Sequence, residues 1–185
     1  MLAAVGRVVR IERLKSPVAS EDRGELEALL MACVENGASI GFLAPLEHAE
    51  AESYWSKIFA DVASGDRALL VARESDRGQI VGSAQLVFES RPNGRHRAEV
   101  QKVMVLPSCR RRGIASKLML AVEDAARERG VWLLFLDTSD SHSGARPLYE
   151  ALRYEYVGGI PGYALDPHGT PEQNAIYYKT LALAR

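Results

Sequence analysis

The order of hydrophobic and polar positions predicts a chain that alternates between strands and helices. Apolar residues recur at helical spacing in four segments, and they alternate or run together in seven others. The predicted helices span residues 20–36, 47–64, 113–129 and 145–152. The predicted strands span residues 5–14, 68–73, 80–89, 98–106, 131–136, 154–158 and 175–181. This pattern is typical of a single α/β domain, and we assign all of residues 1–185 to it.

One part of the pattern also predicts topology. Residues 131–136 form an unbroken apolar run between turn signals, which indicates a strand buried on both faces. The strand at 98–106, the helix at 113–129 and this apolar run follow one another along the chain. Strand, helix and strand in that order predict a parallel, right-handed crossover.

Composition narrows the class of protein without choosing a function. The 185 residues carry 23 Lys and Arg against 24 Asp and Glu, so the formal net charge is -1. This balance argues against a nucleic-acid partner, and no apolar run reaches the roughly 18 residues of a membrane helix. Residues 1–13 lack the apolar core of a secretory signal, and the two cysteines are too few for a disulfide framework or a zinc site. We therefore expect a cytoplasmic protein with no metal and no membrane partner.

The stretch from Val103 to Ala115 carries the most informative chemistry. An apolar strand runs into the basic loop Arg110–Arg112, and Gly113 then opens a long helix. A helix N-terminus presents unpaired N–H groups and a partial positive charge, and a glycine there lets a ligand approach the backbone. The context predicts a pyrophosphate site, although a solvated basic loop with a turn glycine would have the same residues. The Walker and dinucleotide-binding spacings are both absent.

The spacing Arg110-x-x-Gly113-x-Ala115 resembles the Arg/Gln-x-x-Gly-x-Gly/Ala signature of the GNAT superfamily of N-acetyltransferases. The order of predicted elements also matches, so the resemblance covers nearly the whole chain. It implies an α/β (α+β) fold with a mixed sheet of about seven strands and four helices, splayed at a bulge where acetyl-CoA binds. It also implies direct transfer of an acetyl group from acetyl-CoA to an amine.

The resemblance further implies which residues contact acetyl-CoA. The strand before the loop would offer main-chain groups to pantetheine and to the thioester carbonyl, and a serine would replace the asparagine that the family often has before the last helix. The expected contacts are Val103, Met104, Val105, Arg110, Arg111, Arg112, Gly113, Ile114, Ala115, Ser116 and Ser143.

Three residues are the candidates for proton transfer. Tyr149 matches the family's tyrosine near the cofactor sulfur, and a phenol with a pKa of about 10 can protonate a leaving thiolate. Glu99 is the candidate general base, although an ordinary salt bridge with Arg97 or Lys102 would also explain it. Asp137 follows the apolar run, where it could share the base role, bind the substrate ammonium or cap a turn. An acyl-cysteine route is the less favoured alternative.

A closer resemblance, to the tabtoxin resistance proteins, lies in residues 37–42, 98–108, 136–138, 161–163 and 175–181. Those proteins are GNAT enzymes that acetylate a β-lactam amino-acid toxin. The resemblance implies a small-molecule amine as the acceptor, of the kind found in an amino-acid-like toxin or antibiotic. Loops 38–42 and 159–171 would form the acceptor site. A protein or peptide N-acetyltransferase and a catalytically silent acyl-CoA-binding module are the alternatives, and the strand at 175–181 could support a homodimer.

Overall fold

The computed structural model describes residues 8–74, 78–140 and 145–182. In these ranges the helices are α1 (Ser20–Glu35), α2 (His48–Ser64), α3 (Ile114–Glu128) and α4 (Arg146–Ala151). The strands are β1 (Val9–Leu14), β2 (Arg67–Glu74), β3 (Ile80–Phe88), β4 (Arg97–Val105), β5 (Leu133–Ser139), β6 (Glu155–Gly158), β7 (Ala164–Leu165), β8 (Pro171–Glu172) and β9 (Asn174–Thr180). The predicted four helices are therefore confirmed, and every predicted strand has its counterpart.

Seven strands form one mixed sheet in the order β1-β2-β3-β4-β5-β9-β6. Neighbouring strands are antiparallel except β4 and β5, which are parallel and joined by α3. The predicted parallel unit is thus confirmed. Strands β7 and β8 form a small separate hairpin within the segment that was predicted only as a loop.

Helices cover the two faces of the sheet and bury two hydrophobic clusters. On one face, α3 and α4 contribute side chains such as Leu118, Met119 and Tyr149. On the other face, α1 and α2 contribute side chains such as Leu26 and Trp55. All five are 5% exposed or less, which is the burial that the helical spacing of apolar residues predicts.

The sheet opens between β4 and β5. These two strands pair only over Arg97–Glu99 and Leu133–Phe135, at the start of each strand. The remaining parts of β4 and β5 have other neighbours on their outer sides but do not pair with each other. The backbone groups along the facing edges are therefore available to an extended ligand, which would add hydrogen bonds where the sheet lacks them.

A β-bulge lies in β4 beside this gap. Gln101 pairs with Gln85 and Met104 pairs with Ser83, so two residues of β4 oppose one residue of β3. The first of the two, Lys102, has a φ of 49°, in the left-handed region that residues other than glycine rarely adopt. The bulge changes which side chains of β4 face α1 and α2.

One sequence prediction about a strand is wrong. The strand predicted at 131–136 runs from Leu133 to Ser139 and is not buried on both faces, because Leu134 and Leu136 are buried whereas Asp137 is exposed. The hydrophobic cluster under α1 and α2 includes no described residue of β5, so this face of the strand is open and its pattern alternates. β9 lies between β5 and β6 in the sheet, and the homodimer that this strand could support stays a prediction.

The described ranges contain no helix that combines the length and the apolar character needed to span a bilayer.

Candidate active site

The loop before α3 has the geometry of an anion-binding site. Arg111 and Gly113 both adopt left-handed conformations, with φ of 63° and 73°, and α3 begins without a side-chain cap. The first helical hydrogen bond runs from the N–H of Lys117 to the carbonyl of Gly113. The N–H groups of Ile114–Ser116 consequently have no acceptor within the described residues, and a Cβ on Gly113 would meet nothing within 4 Å. An anionic group fits this position.

The three arginines of the loop differ in their contacts. Arg110 donates to the side-chain oxygen of Asn36 at 2.8 Å, which ties the loop to the end of α1. Arg112 donates at 2.7 Å to Glu74, a carboxylate on β2 that is only 2% exposed. Arg111 is exposed, and its guanidinium contacts no described partner. Two arginines therefore tether the loop to α1 and β2, and the Arg111 guanidinium remains available to a phosphate.

The main chain of β4 faces the gap at alternate residues. Leu106 donates its N–H to Val81 on β3, so the alternation of an antiparallel strand turns the main-chain groups of Val105 and Val103 toward the gap. Met104 pairs with β3 instead, and its side chain is 2% exposed in the core under α1 and α2. The carbonyl of Val105 already accepts a hydrogen bond from Arg110 Nε at 3.3 Å, so Val105 offers its N–H to a ligand in the gap and Val103 offers both of its main-chain groups. Met104 mainly contributes packing.

Tyr149 lies on α4 at the other side of the gap. The residue is 5% exposed, and its ring packs 5.7 Å from Tyr177 and 5.9 Å from Tyr154, measured between centroids. Within the described chain its hydroxyl has no hydrogen-bond partner. Burial raises the pKa of Tyr149 well above its ordinary value, and the negative charge of Asp137 adds to this increase. Tyr149 therefore holds its proton at neutral pH.

Glu99 is half-buried on β4, next to Phe135 on β5. The predicted alternative of a salt bridge is not what the structure contains: Arg97 pairs with Glu89 at 2.9 Å, and no described cation lies within 4 Å of the Glu99 carboxylate. A partly desolvated carboxylate without a hydrogen-bonding partner is available to accept a proton.

Asp137 lies in the middle of β5 and pairs with Ile176 on β9. The expectation that it ends the strand is wrong, and so is the alternative of a turn cap, because β5 continues to Ser139. Its charge adds to the increase that burial causes in the pKa of Tyr149, and it opposes the decrease that burial causes in the pKa of Lys102. Asp137 therefore lies within electrostatic reach of the hydroxyl on one side of the sheet and of the ammonium on the other.

Sequence reasoning missed a polar network under α2. Arg67 donates to the side-chain oxygens of Gln85 at 2.6 Å and Gln101 at 3.1 Å, and Gln85 donates to the hydroxyl of Tyr54 at 2.9 Å. Burial raises the pKa of Tyr54 to about 12. Lys102 lies next to this network, with its Nζ 6.0 Å from the centroid of the Tyr54 ring. The one available signal was a polar glutamine in the middle of each of two mainly apolar strands.

The two loops predicted to form the acceptor site meet. The N–H of Ala44, between α1 and α2, donates to the carbonyl of Pro167 at 2.8 Å. Cys109 is 8% exposed and packs in the core beside α3, which leaves no access for an acyl group at its sulfur. Ser143 lies outside the described residues, so its contact with acetyl-CoA stays a prediction. No three metal-ligating side chains converge within the described ranges.

A splayed mixed sheet with an uncapped helix N-terminus beside the gap is the architecture of an acetyltransferase of the GNAT type. The chain belongs to the acetyltransferase (GNAT) family, whose sequence profile matches residues 34–154. It is 34% identical over 139 residues to an uncharacterized N-acetyltransferase of Azospirillum brasilense encoded between hisH and hisA, covering 72% of this chain and 76% of the relative.

Solved structures share the fold. A proposed acetyltransferase from Salmonella typhimurium, solved with its cofactor acetyl-CoA, superimposes with a TM-score of 0.74 at 18% identity and covers 94% of both chains. A ribosomal-protein-alanine N-acetyltransferase from Brucella melitensis has a TM-score of 0.74 at 24% identity, covering 93% of this chain and 99% of its own. The chain is an N-acetyltransferase that uses acetyl-CoA as co-substrate.

Proposed function

We propose that this protein acetylates the amine of a small molecule by direct transfer in the gap between β4 and β5. The observation that carries the proposal is the meeting of three groups without hydrogen-bonding partners at one opening. These are the proton-holding hydroxyl of Tyr149, the half-buried carboxylate of Glu99 and the charge of Asp137. Polar groups that lie in a cleft without partners, with a pKa shifted by burial and a nearby charge, are typical of functional sites.

The cofactor half of the site is the loop before α3 together with the open edge of β4. The N–H groups of Ile114–Ser116 and the guanidinium of Arg111 would hold the pyrophosphate, and Gly113 leaves room for its approach. Arg110 and Arg112 contribute positive potential from their tethered positions. The main-chain groups of Val103 and Val105 would bind the pantetheine amides, and one N–H would polarise the thioester carbonyl.

The catalytic half of the site consists of three side chains: a general base, a general acid and a carboxylate that attracts the acceptor. Bound acetyl-CoA supplies the acetyl thioester and a thiolate leaving group. Glu99 accepts a proton from the acceptor ammonium, directly or through water, which exposes the nitrogen lone pair. Asp137 attracts the ammonium to the opening of the gap. The amine nitrogen attacks the acetyl carbon, and Tyr149 donates its proton to the sulfur when the carbon–sulfur bond breaks. The nitrogen then loses its second proton to solvent, from which Tyr149 regains a proton, so that the products are the amide and free CoA.

The shape of the cleft supports a small acceptor. The hydrogen bond between Ala44 and Pro167 joins the loop after α1 to the loop of the β7–β8 hairpin. A protein substrate needs a groove that continues past the reacting amine, and a bridge between these loops narrows that path. We assign the acceptor to amino-acid-like molecules, including toxins or antibiotics of the kind that the tabtoxin resistance proteins acetylate.

The test is thiol release from acetyl-CoA with three sets of acceptors: free amino acids and toxin-like β-lactams, simple amines, and peptides with free N-termini. Release that depends on a small amine, with the acetylated amine identified by mass spectrometry, supports the proposal. Release with peptides alone would assign a protein acetyltransferase instead. Tight acetyl-CoA binding without release from any of the three sets would favour a silent binding module.

A further inference from the structure

The ammonium of Lys102 is a feature that acetyl transfer to a simple amine leaves unused. Lys102 is half-buried, and its Nζ lies 3.6 Å from the position that a Cβ on Gly41 would occupy, under the loop between α1 and α2. The ammonium has no hydrogen bond and no ion pair with any described residue. Burial lowers the pKa of Lys102, although Asp137 and Glu99 oppose this decrease. Partial burial of a cation that has no hydrogen-bonding partner is unfavourable, and an anionic ligand would offset this cost.

The bulge in β4 is what turns Lys102 into the cleft. In a regular strand Lys102 would face away from Gln101, toward α3, because side chains alternate between faces. The extra residue and the φ of 49° bring it to the face where Tyr54 and the loop at Gly41 lie. Bulges beside active sites commonly re-aim a side chain, and strained backbone is retained mainly where a function depends on it.

The charges around Lys102 define a complementary ligand. Arg67 is already occupied, with Asp61 at 3.1 Å and two glutamine oxygens as partners. Glu99 and Asp137 attract an ammonium, whereas Lys102 attracts an oxyanion, and both carboxylates act electrostatically on Lys102. A small molecule that carries both an ammonium and a carboxylate can pair with all three side chains. A simple amine can pair only with the two carboxylates and leaves Lys102 without an anionic partner.

We propose that Lys102 binds the carboxylate of the acceptor, so that the substrates of this enzyme are amino carboxylates. This inference rests on the proposed small-molecule acetyltransferase activity and adds a specificity-determining residue to it, together with the acceptor group that this residue recognises. The ammonium donates hydrogen bonds to the carboxylate while the amine of the same molecule lies between Glu99 and the gap. A charge-assisted contact of this kind corresponds to roughly 10- to 100-fold in affinity.

The first test compares acceptors that differ only in the carboxylate: L-phenylalanine with 2-phenylethylamine, L-tryptophan with tryptamine, and L-lysine with 1,5-diaminopentane. Wild type is compared with Lys102→Met, and Lys57→Met on the exposed face of α2 is the matched control. We expect Lys102→Met to lower kcat/KM by roughly 10- to 100-fold for the acids and by less than about twofold for the amines. Lys57→Met should change neither set. Equal losses on acids and amines would overturn the inference.

The second test does not require turnover. In protein labelled with ¹³C-lysine, the ε-carbon signal that is missing from Lys102→Met identifies Lys102. We expect this signal to shift when L-phenylalanine, L-tryptophan or L-lysine is added to the CoA-bound enzyme, and to stay in place with the matching amines. A signal that none of the three acids moves would overturn the inference even if amines are acetylated. Failure of the transferase itself would be read separately, as absence of thiol release.

Discussion

At the scale of single residues, the two carboxylates at the gap have different surroundings. Glu99 is half-buried and lies on the strand whose main chain would hold the thioester, whereas Asp137 is exposed on the facing strand. A base must be shielded and close to the reacting nitrogen, whereas an attracting charge can act from the opening of the cleft. This difference separates the roles of two residues that the sequence alone left interchangeable.

Glu99→Gln and Asp137→Asn should therefore change different kinetic parameters. We expect Glu99→Gln to lower kcat at neutral pH by roughly 10²- to 10⁴-fold, with partial recovery at alkaline pH, where the amine loses its own proton. Asp137→Asn should mainly raise the KM of the amine. Steady-state kinetics from pH 6 to 10 measure both effects, with Glu52→Gln on the exposed face of α2 as the control. If Asp137→Asn lost more kcat than Glu99→Gln and recovered at alkaline pH, Asp137 would be the general base and Glu99 the attracting charge.

The sequence is informative for some of these residues and silent for others. Glu99, Asp137 and Tyr149 can be picked out because they stand at the ends of strong strand and helix patterns or match a family position. Lys102 cannot, because alternation in β4 would assign it to the opposite face, and a bulge leaves no mark in the order of polar and apolar residues. Side-chain direction in a bulged strand depends on pairing, which only the fold provides.

At the scale of elements, the N-terminus of α3 is the part of the site that a single helix supplies. Gly113 and Gly130 lie at opposite ends of this helix with nearly the same backbone, φ of 73° and 71°, and both have open space around a would-be Cβ. Substitution at either position costs a similar amount of stability, because a side chain strains a left-handed backbone. Only Gly113 lies beside the free N–H groups. A comparison of substitutions at the two glycines therefore distinguishes a loss of ligand binding from a loss of stability.

Gly113→Trp should accordingly weaken acetyl-CoA binding far more than Gly130→Trp does. We expect the Kd of acetyl-CoA to rise by roughly 10- to 100-fold in Gly113→Trp, since the indole blocks hydrogen bonds to an anionic group. Isothermal titration calorimetry gives the Kd, and thermal unfolding measures the shared loss of stability. Equal Kd values in the two variants would mean that the start of α3 is not the phosphate site.

Elements were predicted best where one face is buried and worst at the gap. The helices α1, α2 and α3 begin and end within two residues of the predicted bounds, because their apolar stripes and terminal glycines act locally. β5 extends three residues beyond the predicted end at 136, because its last residues lie beside the open gap and lose the apolar pattern. The sequence pattern is thus least regular where the sheet is built to bind a ligand.

At the scale of the whole molecule, buried tyrosines make stability depend on alkaline pH. Burial raises the pKa of Tyr54 to about 12, and burial also raises the pKa of Tyr149 and Tyr154 above the ordinary value. Each folded tyrosine stays protonated when the same residue in the unfolded chain ionises near pH 10. Their contribution to stability is therefore complete below about pH 10 and is lost as the pH rises toward the folded pKa.

Urea unfolding at pH values between 8 and 11.5 measures this loss. The free energy of unfolding should fall above about pH 10, and Tyr54→Phe should reduce the slope by about 1.4 kcal/mol per pH unit, the value for one proton. Tyr163→Phe, at a tyrosine that is 52% exposed, should leave the slope unchanged. The same slope in Tyr54→Phe and wild type would mean that Tyr54 ionises as easily in the folded protein as in the unfolded chain.

The central claim is that the opening between β4 and β5 is a site of acetyl transfer in which Tyr149 protonates the leaving thiolate. Tyr149→Phe tests it most directly, because phenylalanine keeps the buried ring and removes only the hydroxyl. We predict that kcat for amine-dependent thiol release falls by roughly 10²- to 10⁴-fold while the Kd of acetyl-CoA changes by less than about twofold. Tyr156→Phe, on the exposed edge strand β6, should keep full activity. A Tyr149→Phe enzyme with undiminished kcat would contradict the claim.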